Sequence, residues 1–127
     1  MPKIYLFISA ISGFLAVALG AFGAHGLRDK LSADLLVVYH TGVQYHFYHT
    51  LALLAVAVLL ALQSTSSALS LLKWSGNLFA IGIVIFSGSL YVLAISGVRW
   101  LGAITPIGGV AFLAGWICLA LATWNWK

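Results

Sequence analysis

The sequence predicts an all-α fold, a polytopic membrane four-helix bundle with short loops, forming a single transmembrane domain over residues 1–127. Three observations carry this. Charged residues make up 6% of the chain and hydrophobic ones 63%, whereas an ordinary soluble domain carries about 25% charged residues. A mean hydropathy of +1.11 leaves no polar shell to enclose a core, so lipid must act as the solvent. Four apolar stretches, about residues 4–26, 43–62, 72–96 and 102–124, each reach the roughly 20 residues that a helix needs to cross a bilayer core.

The first span, Ile4 to Gly26, is longer than the core of a cleaved signal and carries glycines suited to helix packing, so it is read as part of the mature protein. Ser12, Ala16, Gly20 and Ala24 recur at every fourth position, a small-residue seam along which another helix can approach closely. The link from Leu27 to Gly42 holds Arg28, Asp29, Lys30 and Asp34. Within it Leu31, Leu35, Leu36, Val38 and Tyr39 fall at helical spacing, which reads as a short interfacial helix or as an extension of the second span, with Gly42 as the expected break.

The second span, Val43 to Leu62, is followed by a Ser- and Thr-rich link from Gln63 to Leu71. The third, Leu72 to Ser96, ends in the tight connection Gly97-Val98-Arg99-Trp100-Leu101. Thr105-Pro106 opens the last span, where proline's missing N–H is no loss in a first helical turn. Gly108, Ala111, Gly115, Cys118 and Ala122 then alternate at three and four residues, a second packing seam.

The net charge of +4 comes from scattered single cations, without the basic run that binds nucleic acid, so no nucleic-acid partner is expected. Cys118 is the one cysteine, which rules out an internal disulfide and reads as a small packing residue.

Four spans put both termini and the Gln63–Leu71 link on one side, A, and the first and third links on the other, B. Side A receives Lys3, Lys73, Asn77, Trp124, Asn125, Trp126 and Lys127. Side B receives Arg28, Lys30, Gln44, Arg99, Trp100 and Thr105, together with all four histidines, His25, His40, His46 and His49, and both carboxylates, Asp29 and Asp34. Lysine and arginine divide evenly, Lys3, Lys73 and Lys127 against Arg28, Lys30 and Arg99, and only the α-amino group tips the balance toward A as the inner side. The asymmetry of the histidines marks B as the functional face.

The densest polar stretch is Thr41-Gly-Val-Gln-Tyr-His-Phe-Tyr-His-Thr50. His46 and His49 are three apart, hence neighbours on one helical face, and His49 lies roughly 9 Å inside a span that begins at Val43. Ionisable side chains within a span usually face the bundle interior and count as functional candidates. The packing alternative is that they hydrogen-bond Ser87, Ser89 or Tyr91. The candidates for binding a ligand or proton are therefore His25, Arg28, Gln44, Tyr45, His46, His49, Ser87 and Arg99.

Imidazole suits copper, zinc and iron, and His25, His46 and His49 could converge if the first two spans pack antiparallel. No cysteine or carboxylate stands near them within a span, however, and a structural zinc site takes four ligands. No haem or other cofactor is predicted, and a metal is left open with His25, His46 and His49 as its weak candidates. Ser87 and Ser89 lack both the nucleophile-elbow glycines and a base-orienting carboxylate, so no catalytic residue is assigned. Arg99-Trp100 reads as an interfacial anchor, with the alternative that Arg99 turns inward beside His25 to hold an anionic headgroup.

Four blocks, Gly20-Ala-Phe-Gly-Ala-His-Gly-Leu27, Thr41-Gly-Val-Gln-Tyr-His-Phe-Tyr-His49, Phe86-Ser-Gly-Ser-Leu-Tyr91 and Arg99-Trp-Leu-Gly-Ala-Ile-Thr-Pro-Ile-Gly-Gly109, together resemble the YgdD family of small bacterial membrane proteins. That family is similar to the eukaryotic set called transmembrane protein 256. The resemblance runs through nearly the whole chain, in order. It implies a multi-pass protein of the bacterial inner (plasma) membrane, in a family without an assigned activity.

The leading functional expectation is a non-enzymatic membrane protein whose side B pocket binds or passes a small ligand, proton, ion or lipid headgroup. The alternative is an accessory or assembly subunit of a larger membrane complex, acting through helix packing. A membrane enzyme acting on a lipid or quinone is a third reading. The bilayer is the expected environment, with a homo-oligomer or larger complex as the partner.

Overall fold

A computed structural model describes residues 2–126 as helices and short connections. The α-amino group and Lys127, which entered the charge count above, lie outside the described residues. In chain order the elements are α1 (Pro2–His25), α2 (Ala33–Leu62), α3 (Ser66–Gly82), a π-turn (Ile83–Ser87), α4 (Gly88–Ser96), a 3-10 turn (Arg99–Ala103) and α5 (Thr105–Trp124). α3, the π-turn and α4 run on as one span, Ser66–Ser96, so among the described residues four helical segments are long and apolar enough to cross a membrane. The all-helical, four-span architecture is the one the sequence predicts.

The segment after Lys30 does not form a separate interfacial helix; it is the start of α2, which continues through Gly42. Ser32 caps it, its Oγ accepting from the Leu35 amide at 3.4 Å, and Asp34 in the first turn complements the helix dipole. At 1.5 Å per residue, α2 is about 45 Å long against a hydrocarbon core of about 30 Å, so its first turns stand in the interface. Gly42 breaks nothing because its use is in packing: a Cβ there would meet the Tyr91 ring at 3.0 Å and Leu90 at 3.3 Å. The third span begins at Ser66 rather than Leu72. There the Gln63 Oε1 accepts from the amides of Ser64 and Thr65, both at 2.9 Å, ahead of the helix start. Gly97, at φ +73°, ends α4 in the left-handed conformation that glycine adopts without strain.

α2 and the third span form the centre: α1 packs on α2, and α5 packs on α3 and the π-turn. Leu53, Val56, Leu60, Leu72, Phe79 and Phe112 fill the core between them. Along α1 the buried line is Tyr5, Ser9, Ser12, Ala16 and Gly23. Ala24, placed on the seam by its four-residue spacing, is exposed. Each step of four overshoots a full turn by about 40°, so a strict repeat walks off the contact face, and Gly23 takes the position beneath the Tyr39 ring. Gly20 stays at the edge, facing Val43. On α5, Gly108, Ala111, Gly115 and Ala122 are buried, and Cys118 is half-buried. The absent side chain of Gly115 admits the Phe79 ring, and its carbonyl accepts from Ser75 Oγ at 2.8 Å.

Candidate functional site

His46 and His49 are both buried, at 4% and 5% exposure, but they do not share one site. Three residues separate them by about 60° around the helix, enough for α2 to turn one toward α1 and α4 and the other toward α5.

His46 lies in the middle of a hydrogen-bonded chain across three helices. Its Nε2 pairs with Ser12 Oγ of α1 at 2.9 Å, its Nδ1 with the Tyr91 hydroxyl of α4 at 2.8 Å, and Ser12 Oγ pairs with Thr50 Oγ1 at 2.6 Å. Hydroxyls and a neutral imidazole each both donate and accept, so the chain Thr50–Ser12–His46–Tyr91 is satisfied in either direction. Nearby, the Tyr39 hydroxyl donates to the Leu19 carbonyl, and the Tyr39 and Tyr91 rings lie 5.3 Å apart. Ser12, His46 and Tyr91 of this chain line the base of a cleft of 450 Å³ between α1 and the third span. Its walls are apolar, among them Phe7, Ile11 and Leu15 on one side and Ile83 and Val84 on the other. Phe7 and Val84 are 66% and 73% exposed, so the cleft opens sideways, toward lipid.

His49 has a different setting. The Trp116 indole Nε1–H donates to its Nε2 at 3.1 Å. An indole can only donate, so Nε2 must be the unprotonated nitrogen and Nδ1 carries the hydrogen, donating it to the Tyr45 carbonyl at 2.9 Å. The Phe112 ring stacks on the imidazole at 3.5 Å, with 9° between the planes. With both nitrogens used, His49 keeps no lone pair for a metal. It borders a second cleft of 420 Å³, walled by Tyr45, Phe86, Val110, Phe112 and Trp116.

The other sequence-predicted residues are placed elsewhere. His25 and Arg28 are exposed around the end of α1. The convergence of His25, His46 and His49 on a metal is therefore not formed, and among the described residues no group of three potential ligands is gathered. The shared side of the membrane fixes depth, not direction around a helix. Ser87 is buried and donates to the Gly42 carbonyl at 2.8 Å, pinning the π-turn to α2 away from either imidazole. Gln44 and Tyr45 are exposed on α2. Thr50 and Trp116, which complete the two histidine networks, were not singled out by sequence. Their signal is faint: Thr50 is one turn beyond His46, and Trp116 one turn beyond Phe112.

Arg99 does not turn inward toward His25; it pairs with Asp34 at 2.8 Å, with both side chains more than 60% exposed. The contact ties the 3-10 turn to the start of α2, in the interface outside the apolar span. The Ser32 hydroxyl and then the Arg99 guanidinium hold the Asp34 carboxyl down at about 2, from an ordinary 3.8. A carboxyl with a lowered folded value lends its stabilisation above the unfolded value and loses it as pH falls through the folded one. A carbon-detected NMR titration is expected to put the Asp34 midpoint near 2, and Arg99→Ala to raise it. Because the pair is exposed, the same substitution should barely move the unfolding midpoint at neutral pH.

A family model described as a protein of unknown function, DUF423, matches residues 19–109. The chain is 49% identical over 120 residues to the UPF0382 membrane protein YwdK of Bacillus subtilis, covering 94% of this chain and 95% of that one. It is 46% identical over 127 residues to a UPF0382 membrane protein of Haemophilus influenzae, covering 100% and 98%. To the UPF0382 inner membrane protein YgdD of Escherichia coli it is 48% identical over 114 residues, covering 90% and 84%. No solved structure matches.

Proposed function

The chain belongs to the DUF423 family of UPF0382 membrane proteins, and on that premise we propose that it binds a neutral, chain-bearing lipophilic molecule entering sideways from the bilayer. It is a multi-pass protein of the bacterial inner membrane. The observation that carries the proposal is an apolar cleft open toward lipid, lined by Phe7, Ile11, Leu15, Ile83 and Val84, into whose lining the hydrogen-bonded residues Ser12, His46 and Tyr91 also enter. At 450 Å³ the cleft lies within the range of small-molecule sites, about 300–1,000 Å³. Among the described residues its lining contains no lysine or arginine, which disfavours an anionic headgroup and favours a ligand whose single polar group is a hydroxyl or carbonyl.

The amphoteric chain suits such a group. A ligand carbonyl can take the Tyr91 hydroxyl as donor, and a ligand hydroxyl can donate to that oxygen, while His46 and Ser12 readjust their protons without stranding a partner. The test is native mass spectrometry of protein released gently from its own membranes, beside the cleft-filling variants Ile11→Trp and Val84→Trp, which leave the polar chain intact. A defined lipophilic mass retained by the natural chain and lost from both variants is expected. Retention of bulk phospholipid alone, in the proportions of the membrane and equally in all three proteins, would overturn the proposal.

A further inference from the structure

Thr41, Gln44, Tyr48, Leu51, Ala55, Val58 and Leu62 of α2 follow one another at alternating three and four residues. All but the half-buried Thr41 are exposed. An outward stripe of this period is the seam of a left-handed helix pair, in which 3.5 residues per turn keep the same face toward the partner. The seams of small residues that could have joined two copies are occupied within the bundle by Tyr39, Phe79 and Phe86. This stripe on α2 faces outward.

Its upper half is the wrong chemistry for lipid. The Tyr45 ring packs 4.8 Å from Phe86, which lies about 15 Å inside the end of α4 at 1.5 Å per residue, so Gln44 and Tyr48 belong to the first two turns of the apolar part of α2 rather than to the interfacial turns before it. The side-chain hydrogen bonds of this stretch run from Thr41, His46 and His49. Among the described residues none runs from Gln44 or Tyr48. A carboxamide and a phenol facing acyl chains have no water to replace the missing partners, and polar groups in spans ordinarily face protein.

We propose that α2 is a dimer seam, and that a second copy of the chain covers Gln44 and Tyr48. Two copies inserted with the same orientation are related by a two-fold axis along the membrane normal, so each residue on the axis meets its own counterpart at its own depth. Only groups that both donate and accept can satisfy themselves in that arrangement. Carboxamides and phenols do so; like charges would not, and this half of the stripe contains none. Below it, Leu51, Ala55 and Val58 supply an apolar seam in the same register, and a buried polar pair within such a seam fixes register and copy number.

The experiment uses oxidative cross-linking in native membranes, in a Cys118→Ala background with single cysteines at Gln44, Leu51 and Ala55 on the stripe and at Ile81, Val110 and Leu113 on other exposed faces. Disulfide-linked dimers at the three stripe positions and not at the other three are expected. In dilution-series energy transfer between labelled copies in liposomes, Gln44→Leu should weaken the dimer about tenfold, while Val110→Leu leaves it unchanged. Equal cross-linking on all faces, unaltered association in the Gln44→Leu protein, or cross-linking of the stripe to a different protein would each overturn the second copy as occupant.

Discussion

Gly108→Ala is expected to destabilise the bundle by about 2–3 kcal/mol, at the upper end of what overpacking costs, while Gly109→Ala at the next residue stabilises it by about 0.5–1 kcal/mol. A Cβ on Gly108 would lie against the Phe86 backbone, 2.8 Å from its Cα and closer still to its amide nitrogen. Backbone cannot rotate aside as a side chain can, so α5 would have to withdraw from the π-turn, and the contacts that follow along Ala111 and Gly115 would loosen with it. Gly109 would meet only the Phe86 ring, at 3.8 Å, ordinary van der Waals contact. There the added methyl removes chain entropy from the unfolded state at no steric cost. Reversible unfolding in mixed detergent, or steric trapping in bicelles, reads both. Equal effects from the two substitutions would mean that α5 does not approach the π-turn as closely as the structure places it.

The same pair of glycines shows what sequence can and cannot carry. The alternation of three and four residues marks Gly108 as a contact position, because the period of a helix is a local property. What Gly108 touches depends on a single-residue change of hydrogen-bond register in another helix, at Ile83–Ser87. Nothing in Ile83-Val-Ile-Phe-Ser87 announces that change; it arises where α3 and α4 must both pack on α2 and α5. The histidines divide in the same way. Their composition and depth identify them as interior polar groups, and the spacing of three places them near one another. Whether a difference of about 60° leaves them in one pocket or two is decided by where α1 and α5 stand around α2. The alternation of spans puts Arg99 and His25 on one side of the membrane, yet the group that Arg99 pairs with is Asp34, an exposed partner that spacing along the chain cannot reveal.

His46→Phe is expected to destabilise the protein by about 1–3 kcal/mol, with α1 as the element that loosens. Phenylalanine keeps most of the ring's volume but ends both hydrogen bonds of the imidazole. Ser12 and Thr50 remain paired with each other; the half-buried Tyr91 hydroxyl, whose one hydrogen bond among the described residues is to His46, is left without a partner, and a polar group stranded away from water costs about 1–3 kcal/mol. Interhelical hydrogen bonds in bilayers average about 0.6 kcal/mol and reach about 1.7, which bounds what each bond can contribute. Double-mutant cycles separate the terms: His46→Phe with Tyr91→Phe should recover part of the loss, because removing both partners strands neither, whereas His46→Phe with Leu121→Ala, a lipid-facing control, should be additive. α1 responds first because it packs mainly on α2, with the Tyr5 hydroxyl to Asn77 Oδ1 bond, at 2.8 Å, as its polar tie to α3. Faster hydrogen exchange across residues 8–19 than across α5 is therefore the expected signature in the single variant. If stability and exchange were unchanged while lipophile binding disappeared, the energy of the chain would be held in ligand recognition rather than in packing. A loss of both would show that the lining of the cleft and the joint of α1 to α2 are one structure, so that whatever enters the cleft acts directly on how firmly α1 is held.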